Sequence, residues 1–152
     1  MSDLGYDLDG YDSYHSPVPG QSTGIDIITK LTDEGFGTPG ADLFLGFMPD
    51  SLRDGVVVME TGGASPLETY GSDDDHTRPS FQILIRDSQY GRGKTKADKI
   101  IRLFMKIANE VVGNTYYQYI FPSSDVISLG KVAVLDGETN EFSTNFNTIR
   151  EV

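Results

Sequence analysis

Apolar residues recur along this chain with two spacings. From Ser22 or Thr23 the pattern Ile25, Ile28, Leu31 predicts an amphipathic helix ending at Glu34, with Gly35 as its stop. Thr23 and Asp26 have capping-box spacing at its start. A longer helix is predicted over Lys94 to Val112, where Ala97, Ile100, Ile101, Phe104, Ile107, Ala108 and Val111 share one side and Lys99, Arg102 and Lys106 the other. Gly113-Asn114 closes it.

Elsewhere the pattern is that of strands. Ala41 to Met48, ended by Pro49, and Val56 to Met59 flank the turn-forming Pro49 to Gly55, and the two are expected to pair as a hairpin. Thr61-Gly62-Gly63-Ala64-Ser65-Pro66 interrupts, and a polar loop runs on to Pro79. Alternation returns at Phe81, Ile83 and Ile85 on one face of a third strand. Tyr116 to Phe121, Val126 to Leu135 and Glu141 to Val152 complete the strands, with a turn at Asp136-Gly137 between the last two. This order implies an α+β fold: a largely antiparallel sheet packed on one face by two helices.

At 152 residues and 38% hydrophobic, the chain fits one domain, residues 22–152, after a flexible acidic N-terminal arm, residues 1–21. No cysteine is present, which removes disulfides, thiolate metal sites and cysteine nucleophiles, and two histidines offer little for zinc or for acid–base work. No apolar run approaches a membrane span, and the start MSDLGYDLDGYDSY lacks the basic end and apolar centre of a signal peptide, so synthesis in the cytoplasm is expected.

Net charge is -11, which disfavours a grip on nucleic-acid phosphates. The charges are segregated. Seven of the 12 basic residues, Arg86, Arg92, Lys94, Lys96, Lys99, Arg102 and Lys106, fall within one short stretch, and the first falls only at Lys30. Such a chain can offer one basic and one acidic surface to unlike neighbours.

Candidate chemistry is sparse. Asp73-Asp74-Asp75-His76 has the composition of a divalent-ion site, yet adjacent carboxylates in an extended segment point to opposite sides, so a solvated or partner-facing loop is expected. The alternative of another class is a small metal-dependent hydrolase or nuclease using that stretch. Asp7 to Asp12 has the look of a calcium loop without its later glutamate. Gly91-Arg92-Gly93-Lys94-Thr95 is similar to the end of a phosphate loop, but Ser88 stands where the first glycine belongs. Gly62-Gly63 suits a tight exit from a strand, and no serine sits in a nucleophile elbow. No catalytic residue, metal or cofactor is therefore expected. The Tyr116-Tyr117-Gln118-Tyr119 run suggests strand packing or a subunit interface.

Several short stretches in order resemble one family. Phe47-Met48-Pro49-Asp50-Ser51 with Gly55-Val56-Val57-Val58, then Thr61 to Pro66, then Arg78 to Arg86 followed by a helix, are similar to the minor capsid or tail terminator proteins of long-tailed bacteriophages. Leu129-Gly130 and Glu141 to Phe146 are similar to the way those chains end. The resemblance covers positions 22 to 152; the longer, more acidic arm and the Asp73 to His76 insertion depart from it.

It implies a virion protein at the tail–neck junction: a homo-oligomeric ring, commonly a hexamer, that caps the tail tube, ends its polymerisation and meets the head connector. DNA would pass through its channel without specific binding, and no membrane would be involved. On that reading Arg92, Lys94, Lys96, Tyr116 and Tyr117 are expected to bind partners, either a neighbouring subunit or the tube protein, and Asp73, Asp74 and Asp75 to form a loop at the lumen or ring face. The nearest alternative is a head-closure or tail-completion protein of the neck.

Overall fold

The final strand organises the molecule. The computed structural model describes residues 22–67 and 76–151. In chain order the elements are α1 (Thr23–Asp33), β1 (Leu43–Leu45), β2 (Gly55–Glu60), β3 (Ala64–Leu67), β4 (His76–Arg78), β5 (Ser80–Asp87), α2 (Tyr90–Phe104), β6 (Ala108–Val112), β7 (Thr115–Pro122), β8 (Ile127–Val134) and β9 (Gly137–Glu151). Along one edge, β9 pairs antiparallel with β5 from Asn140 to Asn147 and with β4 at Arg150 and Glu151. Along its other edge it pairs antiparallel with β8 from Gly137 to Ser143 and with β7 from Phe146 to Arg150. Each flank is thus one long strand, broken by Pro79 on one side and by Ser123 to Val126 on the other.

Proline cannot donate to a ladder, so a break at Pro79 is expected. Thr148 closes it by donating both its N–H, at 3.1 Å, and its hydroxyl, at 2.7 Å, to the Pro79 carbonyl. On the opposite edge the Ser123 N–H donates to Asn145 O at 2.8 Å. Outward from these flanks, β2 joins β5, β1 joins β2, β3 joins β4 and β6 joins β7. All nine strands described belong to one sheet.

Phe81, Ile83 and Ile85 of β5 lie opposite Phe146, Thr144 and Phe142 of β9, and all six are buried on the face that carries both helices. The alternation predicted for β5 is therefore what the strand does. Phe81, Phe104 and Phe146 bring β5, α2 and β9 together, with ring centroids 4.9 to 5.7 Å apart. Burying each such ring contributes roughly 1.5–3 kcal/mol, and each ring pair about 0.5–1.5 kcal/mol more. The expected α+β architecture, a largely antiparallel sheet with two helices on one face, is the one found.

Several local expectations are corrected. β1 and β2 pair in parallel, Leu43 opposite Val56, so they form no hairpin. On α1 the buried positions include Ile27 and Leu31, while Ile25 is exposed. The start of that helix has no capping box: Glu60, at the end of β2, accepts from the Ser22 hydroxyl and, at 2.7 Å, from the Gly24 N–H. The negative charge sits where the helix dipole is positive. The span from Thr61 to Pro79 also contains β3 and β4. Gly62 and Gly63 have φ of 91° and 88°, and a Cβ on Gly63 would stand 2.2 Å from the Arg78 carbonyl oxygen, so this glycine pair serves the tight exit from β2.

The largest correction concerns the long helix. It begins at Tyr90, not Lys94, and ends at Phe104, not Val112. Ile107 remains in the core, but Asn109 turns to φ 53° and residues 108–112 form β6. Gly113-Asn114, expected to end a helix, is the two-residue turn of the β6–β7 hairpin.

Candidate functional site

Two unlike surfaces lie on opposite sides of the sheet. On the helical side, α2 buries Gly93, Ala97, Ile100, Ile101 and Phe104 and turns its cations away from them. Three of the seven clustered cations already have an acidic partner within the chain. Arg86 Nε lies 3.7 Å from Glu141 and its Nη1 donates to Leu52 O at 3.1 Å. Lys94 Nζ meets both oxygens of Asp98, one helical turn on, at 3.1 and 3.2 Å.

Arg92 is held more firmly. Its Nε donates to both oxygens of the buried Asp87 at 2.8 and 2.9 Å, and its Nη2 lies 3.4 Å from Asp54. Asp87 also accepts the Gln89 N–H at 2.8 Å, which fixes the entry to α2. The hydrogen bond and charge of Asp87 raise the Arg92 pKa above its ordinary value. The Ser88 N–H, and then the Ser88 hydroxyl and the Arg92 charge, hold the Asp54 carboxyl below the usual range against the opposing effect of burial. Arg92 therefore serves first as an internal clamp between β5, α2 and the turn before β2.

The other four cations, Lys96, Lys99, Arg102 and Lys106, have no ion-pair partner among the described residues. The first three face away from the core along α2, and Lys106 continues the stripe just past its end. A cleft of about 530 Å³ opens beside the stripe, lined by Gly35, Phe36, Asp42, Arg92, Lys96 and Lys99 among others. Asp42 is the one carboxylate among its described lining residues, and that group accepts the Thr38 N–H at 2.7 Å.

The phosphate-loop resemblance ends here: Gly91 to Thr95 are the first turns of α2 itself, with no loop to wrap an anion. A Cβ on Gly93 would stand 2.7 Å from the Phe142 ring and 2.9 Å from Asp87 Cβ, so this glycine lets the helix approach the sheet.

The second surface follows the β7–β8 flank. Tyr119, Phe121 and Ile127 lie opposite Ile149, Asn147 and Ser143 of β9, and all three are exposed on the face turned away from the helices. Leu129 is also exposed, and β8 pairs with β9 alone among the described strands, so no described strand covers its outer edge. Nearby, Gln82 Nε2 donates to Ser143 Oγ at 2.8 Å and Ser80 Oγ to Asn147 Oδ1 at 2.6 Å, which makes the middle of this face polar but uncharged.

The expected tyrosine contacts are redistributed. Tyr116 is half-buried and its hydroxyl donates to Asn109 Oδ1 at 3.1 Å. Tyr117 is fully buried, so it offers no surface to a partner in this conformation. The reason is a bulge: Tyr119 pairs with Ile149 and Tyr117 with Arg150, so the intervening Gln118 is skipped and Tyr117 turns into the core. Its hydroxyl donates to Asp26 at 2.6 Å, and burial, then the Asp26 charge, push its pKa upward. Tyr119, the last of the tyrosine run, and Phe121, which no motif marked, take the outward positions; their signal was simple alternation with the buried Ile120.

Asp73, Asp74 and Asp75 lie outside the described residues. His76 opens β4, half-buried, with its Nε2 2.7 Å from Gln118 Nε2. Among the described residues no group of three or more His, Cys, Asp or Glu is placed to hold a metal ion, and no helix is long and apolar enough to cross a membrane.

The chain matches the family model described as bacteriophage tail terminator protein over residues 30–152, from the last turn of α1 through β9. It belongs to the bacteriophage tail terminator family. No curated protein matches it. Family membership makes this terminator a structural component of the phage virion that acts in tail assembly and contacts other tail components. It also gives the two surfaces a use, because an assembly protein needs separate faces for separate neighbours.

Proposed function

We propose that this terminator forms a ring, six copies in the pattern common to its family, that caps the finished tail tube at the junction with the neck. The cap stops further tube subunits from adding and offers the head connector a seat, while DNA passes through the centre without specific binding. The observation that carries the proposal is the family match across residues 30–152. The work is done by matching shape and charge, with no bond made or broken.

Physical support comes from the two surfaces. A β8 edge that no described strand covers, beside exposed Tyr119, Phe121, Ile127 and Leu129, is a liability for a lone monomer and a natural seam between copies. The cations of α2, Lys96 foremost among those expected from the sequence, suit an acidic tube or neighbour surface. Arg92 and Lys94 take part through the shape they hold, since each is already paired. Tyr116 is assigned to a partner contact, and Asp73, Asp74 and Asp75 to the lumen or a ring face, where carboxylates would repel DNA phosphates.

Shortening the segment 68–75 and neutralising the α2 cations, with ring formation and tube capping measured separately, tests these assignments. Loss of capping with rings intact places a feature at the tube; loss of rings places it at the seam. Unchanged rings and unchanged capping in both variants would overturn the residue assignments.

A further inference from the structure

Lys96, Lys99 and Arg102 of α2 and Lys106 just past its end, unpaired among the described residues, lie in a chain whose net charge is -11, and a stripe of that sign draws whatever acid is tethered within reach. Residues 1–21, outside the described part, carry Asp3, Asp7, Asp9 and Asp12, with no lysine or arginine among them. They also carry Tyr6, Tyr11 and Tyr14.

Attachment and reach both favour contact. The described chain begins at Ser22, held to Glu60 at the start of α1. Asp26, in the first turn of that helix, accepts the Asn114 N–H at 3.3 Å, and Lys30, one turn on, lies 3.9 Å from Glu110, so α1 runs along β6 in the opposite direction with its start at the β6–β7 turn. At the other end, Gly35 and Phe36, just past α1, share a cleft with Gly91 and Arg92 at the beginning of α2. The chain from the beginning of α2 through β6 therefore runs opposite to α1, and a segment leaving Ser22 comes to Lys106 before Lys96. The 15 residues of α2 span about 22 Å, whereas twenty extended residues reach up to roughly 70 Å.

We propose that the Asp3 to Asp12 segment docks, within its own chain, along Lys96, Lys99, Arg102 and Lys106, with its tyrosines against the lysine stems and the Phe36 cleft. Aspartates neutralise the stripe, and aromatic rings pack on alkyl stems and cations. A short tether supplies an effective concentration on the order of millimolar, so even a weak attraction keeps the segment in place. The contact gives the basic face a built-in competitor: an acidic partner surface must displace the arm to reach it. This holds whether or not copies form a ring.

Zero-length carbodiimide coupling of the full-length protein, read by mass spectrometry, tests the proposal. It joins only carboxylates and amines already in contact, and the Lys94–Asp98 pair at 3.1 Å is an internal control. The expected result is amide links from Asp3, Asp7, Asp9 or Asp12 to Lys96, Lys99 or Lys106, in excess of links to Lys30 and Lys131, and lost at about 0.5 M NaCl where charge attraction is screened. In a mixture of isotopically light and heavy protein, each link should join fragments of one isotope. Absence of these links while the control forms, links spread evenly over all lysines, or mixed-isotope links would each overturn docking within the chain.

Discussion

The Tyr117 hydroxyl donates a 2.6 Å hydrogen bond to the Asp26 carboxylate inside the protein, joining β7 to α1 across 91 positions of sequence. Asp26 is fully buried, and Arg150 Nη1 stands 3.5 Å from the same carboxylate. A hydrogen bond to a charged acceptor contributes about 1.5–3 kcal/mol. Tyr117→Phe keeps the ring and removes that bond. It should lower unfolding free energy by that amount in urea titrations, with the m-value unchanged.

The same pair makes stability depend on alkaline pH. Burial, followed by the Asp26 charge, raises the Tyr117 pKa above its ordinary value of 10.0 in the folded protein. The unfolded chain therefore releases this proton first as pH rises. The contribution is complete below pH 10.0 and falls above it, by up to about 1.4 kcal/mol per pH unit, until the folded protein also ionises. Other tyrosines and lysines titrate in this range, so the measurement is the difference between the native chain and Tyr117→Phe. That difference should hold steady at neutral pH and shrink once pH passes 10.0.

Two glycines of α2 should respond in opposite ways to alanine. Gly93→Ala places a methyl 2.7 Å from the buried Phe142 ring and should cost about 1–3 kcal/mol. Gly91→Ala meets nothing within 4 Å and should be neutral or gain up to about 1 kcal/mol from helix propensity. Thermal melts of the two variants side by side would check both signs.

Clamp and contact cations should also separate. Arg92→Ala strands the buried Asp87 charge and should lower the melting temperature, because its loss leaves a carboxylate without its cation. Lys96→Ala and Lys99→Ala touch no partner within the described chain and should leave stability within about 0.5 kcal/mol while changing partner binding. Calorimetry on all three distinguishes the roles.

What the sequence revealed depends on how local the cause was. α1 and β5 were legible because apolar spacing and a stop residue decide them nearby: Gly35 ends the first at φ 82°, and Phe81, Ile83 and Ile85 alternate inward in the second. The overlong second helix shows the limit. Ile107 and Val111 continue the helical period, but a Val111-Val112 pair, the Gly113-Asn114 turn and an antiparallel partner in β7 favour a strand. The parallel pairing of β1 and β2 and the Glu60 cap on α1 are long-range contacts with no local mark.

At the candidate site, the basic stripe followed from helical spacing and was readable. The inward turn of Tyr117 was not, because the bulge at Gln118 reverses the alternation that would have placed it beside Tyr119. The clamp on Arg92 was half visible: Asp87 precedes it by five residues, but Asp54 comes from a distant turn.

Exposed aromatics of the β7–β8 flank should matter for assembly and little for folding. Tyr119 is 52% and Phe121 44% exposed. Replacing both with serine should leave the circular dichroism spectrum intact and shift the sedimentation coefficient from ring to monomer.

The most direct measurement is the length of tail tubes polymerised from purified tube protein, scored by electron microscopy as this chain is added. A terminator should stop growth, so lengths should shorten with dose and tube ends should carry added density. Tubes that keep growing past bound protein, with the same length distribution at every dose, would contradict the account.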